Sequence, residues 1–310
     1  MTVIPNFHMR AFKSDEERAV AAAKPLHERI SMITNLLVPH RKFDTAQDAM
    51  EHLFVPDPPG WIAGLIGNSR AGKSYAAKYF ASNHPAELQD HGYDYPVAYV
   101  EARSDWTAIE FSRQIYLATG ATAIPRETNA TVNTKAASRL ADFGVKMLVI
   151  DDAHFLWEGR SAVSNRLEGM LIHIANQKCN ILLVGLESVY MAVLNNDQLF
   201  RRGNFPHYPL VEYNDKDFDE KNRFFFFLNE VDLRLPFKHL SNLGRHHGQA
   251  LLDVSGGSVG VVMNIVQDAA YMAARAESPC IKREHLRQAV ASRSALGTKV
   301  PDFNGPAEAA

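Results

Sequence analysis

Eight consecutive residues, Gly67-Asn68-Ser69-Arg70-Ala71-Gly72-Lys73-Ser74, satisfy the spacing G-x-x-x-x-G-K-[ST]. The glycines let the backbone curl so that successive N–H groups point at one bound anion. This spacing suits the phosphates of ATP. Lys73 would reach the β- and γ-phosphates, the Ser74 hydroxyl would ligate Mg2+, and Tyr75 follows at the edge of the same cradle. The competing reading is a chance match. The loop's position between an apolar run and a helical pattern speaks against chance.

A second constellation is Lys146-Met147-Leu148-Val149-Ile150-Asp151-Asp152-Ala153-His154. An apolar strand would deliver Asp151 to the phosphate end of a sheet, where it can hold Mg2+. Asp152 would then orient or activate the attacking water. Apolar strands that end in Asp are common, so this segment gains its meaning from the P-loop before it. A third is Asn196-Asp197-Gln198-Leu199-Phe200-Arg201-Arg202. An arginine here either stabilises charge on a neighbouring subunit's γ-phosphate or is a solvated loop residue.

The elements that must position these groups are readable as an alternation. Trp61 to Ile66 is a short apolar run after Pro59-Gly60, and similar runs recur at Val97 to Val100, Met147 to Ile150 and Ile181 to Val184, with a weaker one at Tyr208 to Val211. Helical patterns separate them: one after the P-loop, one from Ser104-Asp105 to Gly120, one from about 132 to 144 and one from about 164 to 177. Strands alternating with helices imply an α/β fold, a P-loop core whose parallel sheet is flanked by helices. After about 212 the pattern is helical only, with an apolar stripe at Val259, Val262, Met263, Val266, Ala269, Ala270 and Ala273. The expected organisation is a helical lead-in over 1–45, the core over 46–211, a helical lid over 212–295 and a disordered tail over 296–310.

Bulk properties exclude several classes. Of 310 residues, 46 % are hydrophobic and 22 % charged, which is ordinary globular composition. No apolar run is long enough to cross a membrane, and the four phenylalanines from Phe224 to Phe227 read as part of a buried helix. The first residues carry no secretory pattern, and the two cysteines, Cys179 and Cys280, have no metal-ligand spacing. A cytoplasmic protein without disulfides is expected. The formal charge is −2, from 33 basic and 35 acidic residues. A nucleic-acid role would therefore need a local patch or many subunits together.

These three constellations, in this order and with helices behind them, resemble an AAA+ ATPase. The segments Asn195 to Arg202, Ile174-Ala175-Asn176, Ile181 to Gly185, Leu235-Pro236-Phe237 and Ser255-Gly256-Gly257-Ser258-Val259-Gly260 are similar to those of the TniB/TnsC family of transposition regulators. The likeness runs from about residue 25 to 292. It implies an ATP-dependent regulator that oligomerises as a ring or filament on target duplex DNA, recruits a transposase and links it to a target-selection protein. In some elements that selector is a CRISPR effector complex. On the family pattern D-Q-L-x-x-R, Arg202 matches the trans-acting arginine finger.

Three positions depart from the pattern. Asp152 stands where Glu is usual, so slow hydrolysis is expected. Leu186 follows Val184-Gly185 where a polar residue is frequent. Val261, Val262 and Met263 stand where many AAA+ proteins place an arginine. In this fold the loops after the second and before the third core strand tend to face the ring pore. Arg103, Arg126, Thr131 and Lys135 lie in or near them and are candidates for DNA contact, an ordinary surface role being the alternative. Two other classes stay open: an AAA+ ATPase acting on a protein partner, as in secretion or assembly, and a signalling NTPase switch.

Overall fold

The computed structural model describes residues 5–90, 92–122, 129–295 and 300–303. Their contacts separate two units. One is Arg41–Leu210; the other combines Pro5–His40 with the described part of Val211–Ala310.

In the second unit, helices α1 (Asp15–Ala22) and α2 (Leu26–Thr34) join α10 (Phe218–Asp232), α11 (Leu243–Ser255), α12 (Val259–Arg275) and α13 (Arg283–Arg293). Here the structure corrects the expectation of a separate lead-in over 1–45. The His8 ring is 3.0 Å from the Arg234 carbonyl, Arg29 Nε donates to the Pro236 carbonyl, and Ile33, Leu36 and Val38 share a core with Phe224, Phe227 and Val266. A cut after residue 45 would also divide α3 (Arg41–Leu53), which belongs to the first unit. The apolar stripe of α12 is buried at Val262, Ile265, Val266, Ala269, Ala270, Ala273 and Ala274, as its spacing requires. Of the four phenylalanines in α10, Phe224 and Phe227 are buried whereas Phe226 is 65 % exposed, because four consecutive residues cover every side of a helix.

The first unit is built on five parallel strands in the order β7-β1-β6-β5-β4: β1 (Ile62–Ile66), β4 (Val97–Glu101), β5 (Met147–Asp151), β6 (Asn180–Gly185) and β7 (His207–Pro209). Every residue of β1, β5 and β6 is buried, as expected for parallel strands covered on both faces. The covering helices are α4 (Lys73–Asn83), α5 (Ala108–Ala118), α6 (Asn129–Asp142), α7 (Ser161–Asn176), α8 (Glu187–Leu194) and the single turn α9 (Asp197–Phe200). α5 starts later than Ser104 because Thr107 caps it, its side chain accepting from the Glu110 amide. A short antiparallel hairpin, β2 (Glu87–Gln89) with β3 (Gly92–Asp94), interrupts the path from α4 to β4. Its three-residue, mostly exposed strands carry no apolar alternation that the sequence could signal.

Strand pairing decides what meets at the carboxyl end of the sheet. Ile66 lies beside Gly185, Ile150 beside Leu183, and Glu101 beside Asp151. The loop after β1, the end of β5 and the end of β6 therefore converge.

Candidate nucleotide site

The loop that leaves β1 turns sharply into α4. Arg70 and Gly72 both have positive φ, 65° and 95°, and Gly72 is the residue on which α4 begins. A side chain at Gly67 would place its Cβ 2.1 Å from the Leu210 carbonyl oxygen, just past β7, so only glycine fits there. Lys73 opens the helix with its side chain folded back over the loop: Nζ donates to the carbonyls of Gly67 at 2.9 Å and Asn68 at 2.6 Å. The residue is 8 % exposed. An ammonium held at the mouth of a ring of amides is the arrangement a polyphosphate needs. Asn68, Ser69, Arg70, Ala71, Ser74 and Tyr75 complete the loop and the first turn of α4.

Asp151 is the most deeply buried acid of the site. It is 2 % exposed, and its Oδ1 accepts from the Ser74 hydroxyl at 3.0 Å and from the Asp152 amide at 3.0 Å. Its Oδ2 accepts from the Tyr99 hydroxyl across the β4–β5 pairing. Burial and the Asp151 charge push the Tyr99 phenol far above its ordinary range, so it remains a donor. Ser74 and Asp151 thus present two oxygens within hydrogen-bond distance of each other beside the phosphate loop, a donor set suited to Mg2+ with its waters. The residues present fit both ATP and Mg2+.

Asp152 has φ 51° and ψ 36°, a left-handed conformation that Asp and Asn tolerate better than most residues. The backbone thus gives a reason for the shorter acid at this position. Burial first, then the negative charges of Asp151 and Glu101, raise its pKa, while His154 and Lys73 oppose the rise. A carboxyl with a raised pKa is the better proton acceptor when ionised. The neighbourhood also contains groups that the sequence reading did not single out. Glu101 at the end of β4 pairs with Lys78 of α4 at 3.5 Å. His154 has a buried Nδ1 without a partner among the described residues and lies against Gly185, where a Cβ would be 3.3 Å from its amide nitrogen. Leu186 is half-buried at the start of α8, with Glu187 and Ser188 exposed beyond it. Only the strand register, absent from any local motif, brings Tyr99 and Glu101 to Asp151.

Arg202 stands elsewhere. Its carbonyl accepts from the amide of Ile62, the first residue of β1, and its guanidinium donates to Asn176 Oδ1 at 2.5 Å at the end of α7. It borders an open cavity of about 450 Å3 with Trp61, Gln198 and Arg201. This is the amino end of the strands, opposite the phosphate loop. Arg201 pairs with Asp197 at 3.4 Å on the exposed side of the same turn. Asn196 caps α9, accepting from the amides of Gln198 and Leu199, and donates to Glu168, which also accepts from Trp157.

Of the candidates for DNA contact, Arg103 is exposed in the loop after β4, and Thr131 and Lys135 are exposed one turn apart on α6. Arg126 lies outside the described residues. Among the described residues no helix is long and apolar enough to cross a membrane, and no cluster of His, Cys, Asp and Glu could hold a metal ion by itself.

The family model for bacterial TniB protein matches residues 29–214, more than half of the chain. No curated protein matches the sequence significantly. Among solved structures, the ORC2 protein of Aeropyrum pernix in ADPNP–ADP complexes is similar with a TM-score of 0.58 at 14 % identity, covering 83 % of this chain and 68 % of that one. The ORC1 protein of the same organism in complex with DNA gives 0.58 at 16 %, covering 83 % and 66 %. The Cdc6p of Pyrobaculum aerophilum gives 0.54 at 18 %, covering 84 % and 69 %. At these identities the likeness is one of fold: a parallel five-stranded AAA+ sheet with flanking helices, followed by helices.

Proposed function

Because the chain belongs to the family of bacterial TniB proteins, we propose that it is a regulator of DNA transposition whose nucleotide state governs its assembly on duplex target DNA. It is an ATPase with the AAA+ fold. In the proposed cycle the assembled form recruits or activates a transposase and connects it to a target-selection protein.

The observation that supports assembly most directly is the separation of the catalytic groups. Lys73, Ser74, Asp151 and Asp152 gather at the carboxyl end of the sheet, while Arg202 hangs from the first residue of β1 at the other end. The five residues of β1 span about 16 Å, more than an arginine side chain can cover. On this reading the site is completed by Arg202 from a second copy. In it Lys73 would leave its two carbonyl partners for the phosphates, and Ser74 and Asp151 would hold Mg2+, with Tyr99 fixing the Asp151 carboxylate. Asp152 would take the proton of the attacking water as Arg202 of the neighbour stabilises charge on the γ-phosphate. Bound MgATP would supply the phosphoanhydride, and its metal part of the neutralising charge. Slow turnover is expected, since the site is completed only on assembly.

With a net charge of −2, one subunit has too little positive charge to hold DNA tightly by counterion release. Several subunits joined through nucleotide would each add a few contacts from Arg103, Arg126, Thr131 or Lys135, making one multivalent surface. That a neighbour of the same fold is solved with DNA supports the choice of partner.

The test is a titration of labelled duplexes of differing sequence with ATP, with ADP and without nucleotide. Binding should be steep in protein concentration, dependent on ATP, lost with salt and nearly indifferent to sequence, because phosphate contacts carry no sequence information directly. Tight binding by monomers without nucleotide would overturn the assembly mechanism. Absence of binding in every condition would leave a protein partner as the target.

A further inference from the structure

The helical unit contains a cavity of about 420 Å3 that the nucleotide site does not use. It opens between the turn joining α1 to α2, the body of α2 and the carboxyl end of α12. Four cations border it, Lys24, Arg29, Lys238 and Arg275, against a single acid, Glu277, and Leu26 contributes an apolar wall.

Arg29 is the unusual member. It is only 8 % exposed, yet its charge is not neutralised: Nε donates to the Pro236 carbonyl at 3.2 Å, the guanidinium lies 5.4 Å from the centre of the Phe237 ring, and no carboxylate among the described residues pairs with it. A buried charge without an ionic partner is costly, and burial pulls the Arg29 pKa down, countered by Glu277 at longer range. The other cations are engaged differently. Lys24 pairs with Glu28 at 2.7 Å, Arg275 lies over the Tyr271 ring at 5.8 Å, and Lys238 is exposed. The negative end of the α12 dipole borders the cavity, but the last carbonyls there already accept from the amides of Glu277 and Ser278, and a half charge does not offset the two net positive ones that remain once Glu28 is set against Lys24 and Glu277 against the others.

We propose that this cavity is a docking site for an acidic peptide segment of a partner protein. One Asp or Glu side chain enters to meet the terminal nitrogens of Arg29, and flanking acidic residues meet Lys238 and Arg275. A planar guanidinium binds a carboxylate by two parallel hydrogen bonds, and the apolar wall accommodates the methylene stem that carries it. Duplex DNA suits the site less well. Its phosphates lie along a broad rigid cylinder, whereas Arg29 sits inside a recess that a single flexible side chain can enter.

The experiment measures fluorescence anisotropy of a labelled hexaglutamate peptide with the full chain. We expect saturable binding that the double variant Lys238→Glu/Arg275→Glu weakens by about tenfold or more, with ATP affinity unchanged because neither residue touches the nucleotide site. Arg29→Lys, which keeps the charge but loses the fork, should weaken it as well. Unlabelled duplex and inorganic phosphate should fail to displace the peptide. Unchanged peptide affinity in the double variant would overturn the proposal, as would displacement by duplex in the wild type that disappears in the variant.

Discussion

Arg202→Ala offers the sharpest test of the proposed division of the site between two copies. An arginine that acts only on transition-state charge is worth about 10³–10⁵ in kcat, so the variant should lose at least that lower factor while retaining ATP affinity. Lys73→Ala should lose ATP binding itself, since its ammonium is the side-chain cation held at the phosphate loop. Neither variant is active alone, but an equal mixture should be. If subunits mix randomly, an interface is complete when an Arg202→Ala subunit supplies the P-loop and a Lys73→Ala subunit supplies the finger. Each choice has a chance of one half, so up to about a quarter of interfaces recover, and turnover should rise from near zero toward about a quarter of wild type. The ceiling will not be reached if empty P-loops weaken assembly. The assay is steady-state phosphate release from mixtures over a range of ratios, with cross-linking of differently tagged copies to verify mixed assemblies. If mixed assemblies form and turnover stays at the sum of the separate variants, Arg202 does not act in trans, and the reasoning from its position at the amino end of β1 fails.

Asp152→Asn should keep ATP affinity and lower kcat by about 10²–10⁴, because the left-handed backbone accepts Asn and only the proton acceptor is lost. Wild-type turnover would transfer the role to another group, and Glu101, paired with Asp151 across β4 and β5, is the carboxylate that the geometry offers. Tyr99→Phe removes the donor to Asp151 Oδ2 without changing the strand, and should raise the Mg2+ concentration needed for half-maximal turnover by about 10–100-fold. An unchanged magnesium requirement would show that Ser74 and the Asp152 amide suffice to orient the carboxylate.

The phosphate loop and Asp151 were readable from sequence because their requirements are local. Two glycines, a lysine and a hydroxyl at fixed spacing specify a turn that opens a helix, and Asp151 needs only an apolar strand before it. The four wholly or mostly buried strands were readable for the same reason, each being a short apolar run with turn residues beside it. What stayed hidden depends on pairing between distant segments. Nothing within Val97 to Glu101 shows that its tyrosine will face Asp151; that follows from the register that sets Tyr99 beside Val149 and Glu101 beside Asp151. The association of Pro5–His40 with the second unit rests on bonds such as that between His8 and the Arg234 carbonyl, 226 positions apart. The left-handed turn at Asp152 is also set by its surroundings, since most residues of that type adopt other conformations.

This distinction bears on how the site works. The locally encoded parts, from Gly67 to Ser74 with Asp151, are those proposed to bind nucleotide and metal, and one folded copy contains all of them. The parts encoded by pairing tune and complete them. Tyr99 holds the carboxylate, and Glu168 ties the Asn196 cap of the Arg202 segment to Trp157, six residues after Asp151. That last connection runs through α7, whose end at Asn176 also holds the Arg202 guanidinium. The segment that carries Arg202 is therefore braced on the same helix that contacts the turn after Asp151 and Asp152. On the proposed reading, the end that would receive a neighbour's finger and the end that would offer its own are both bonded to α7 within one copy. That architecture suits a protein whose nucleotide occupancy is to be read by the next subunit.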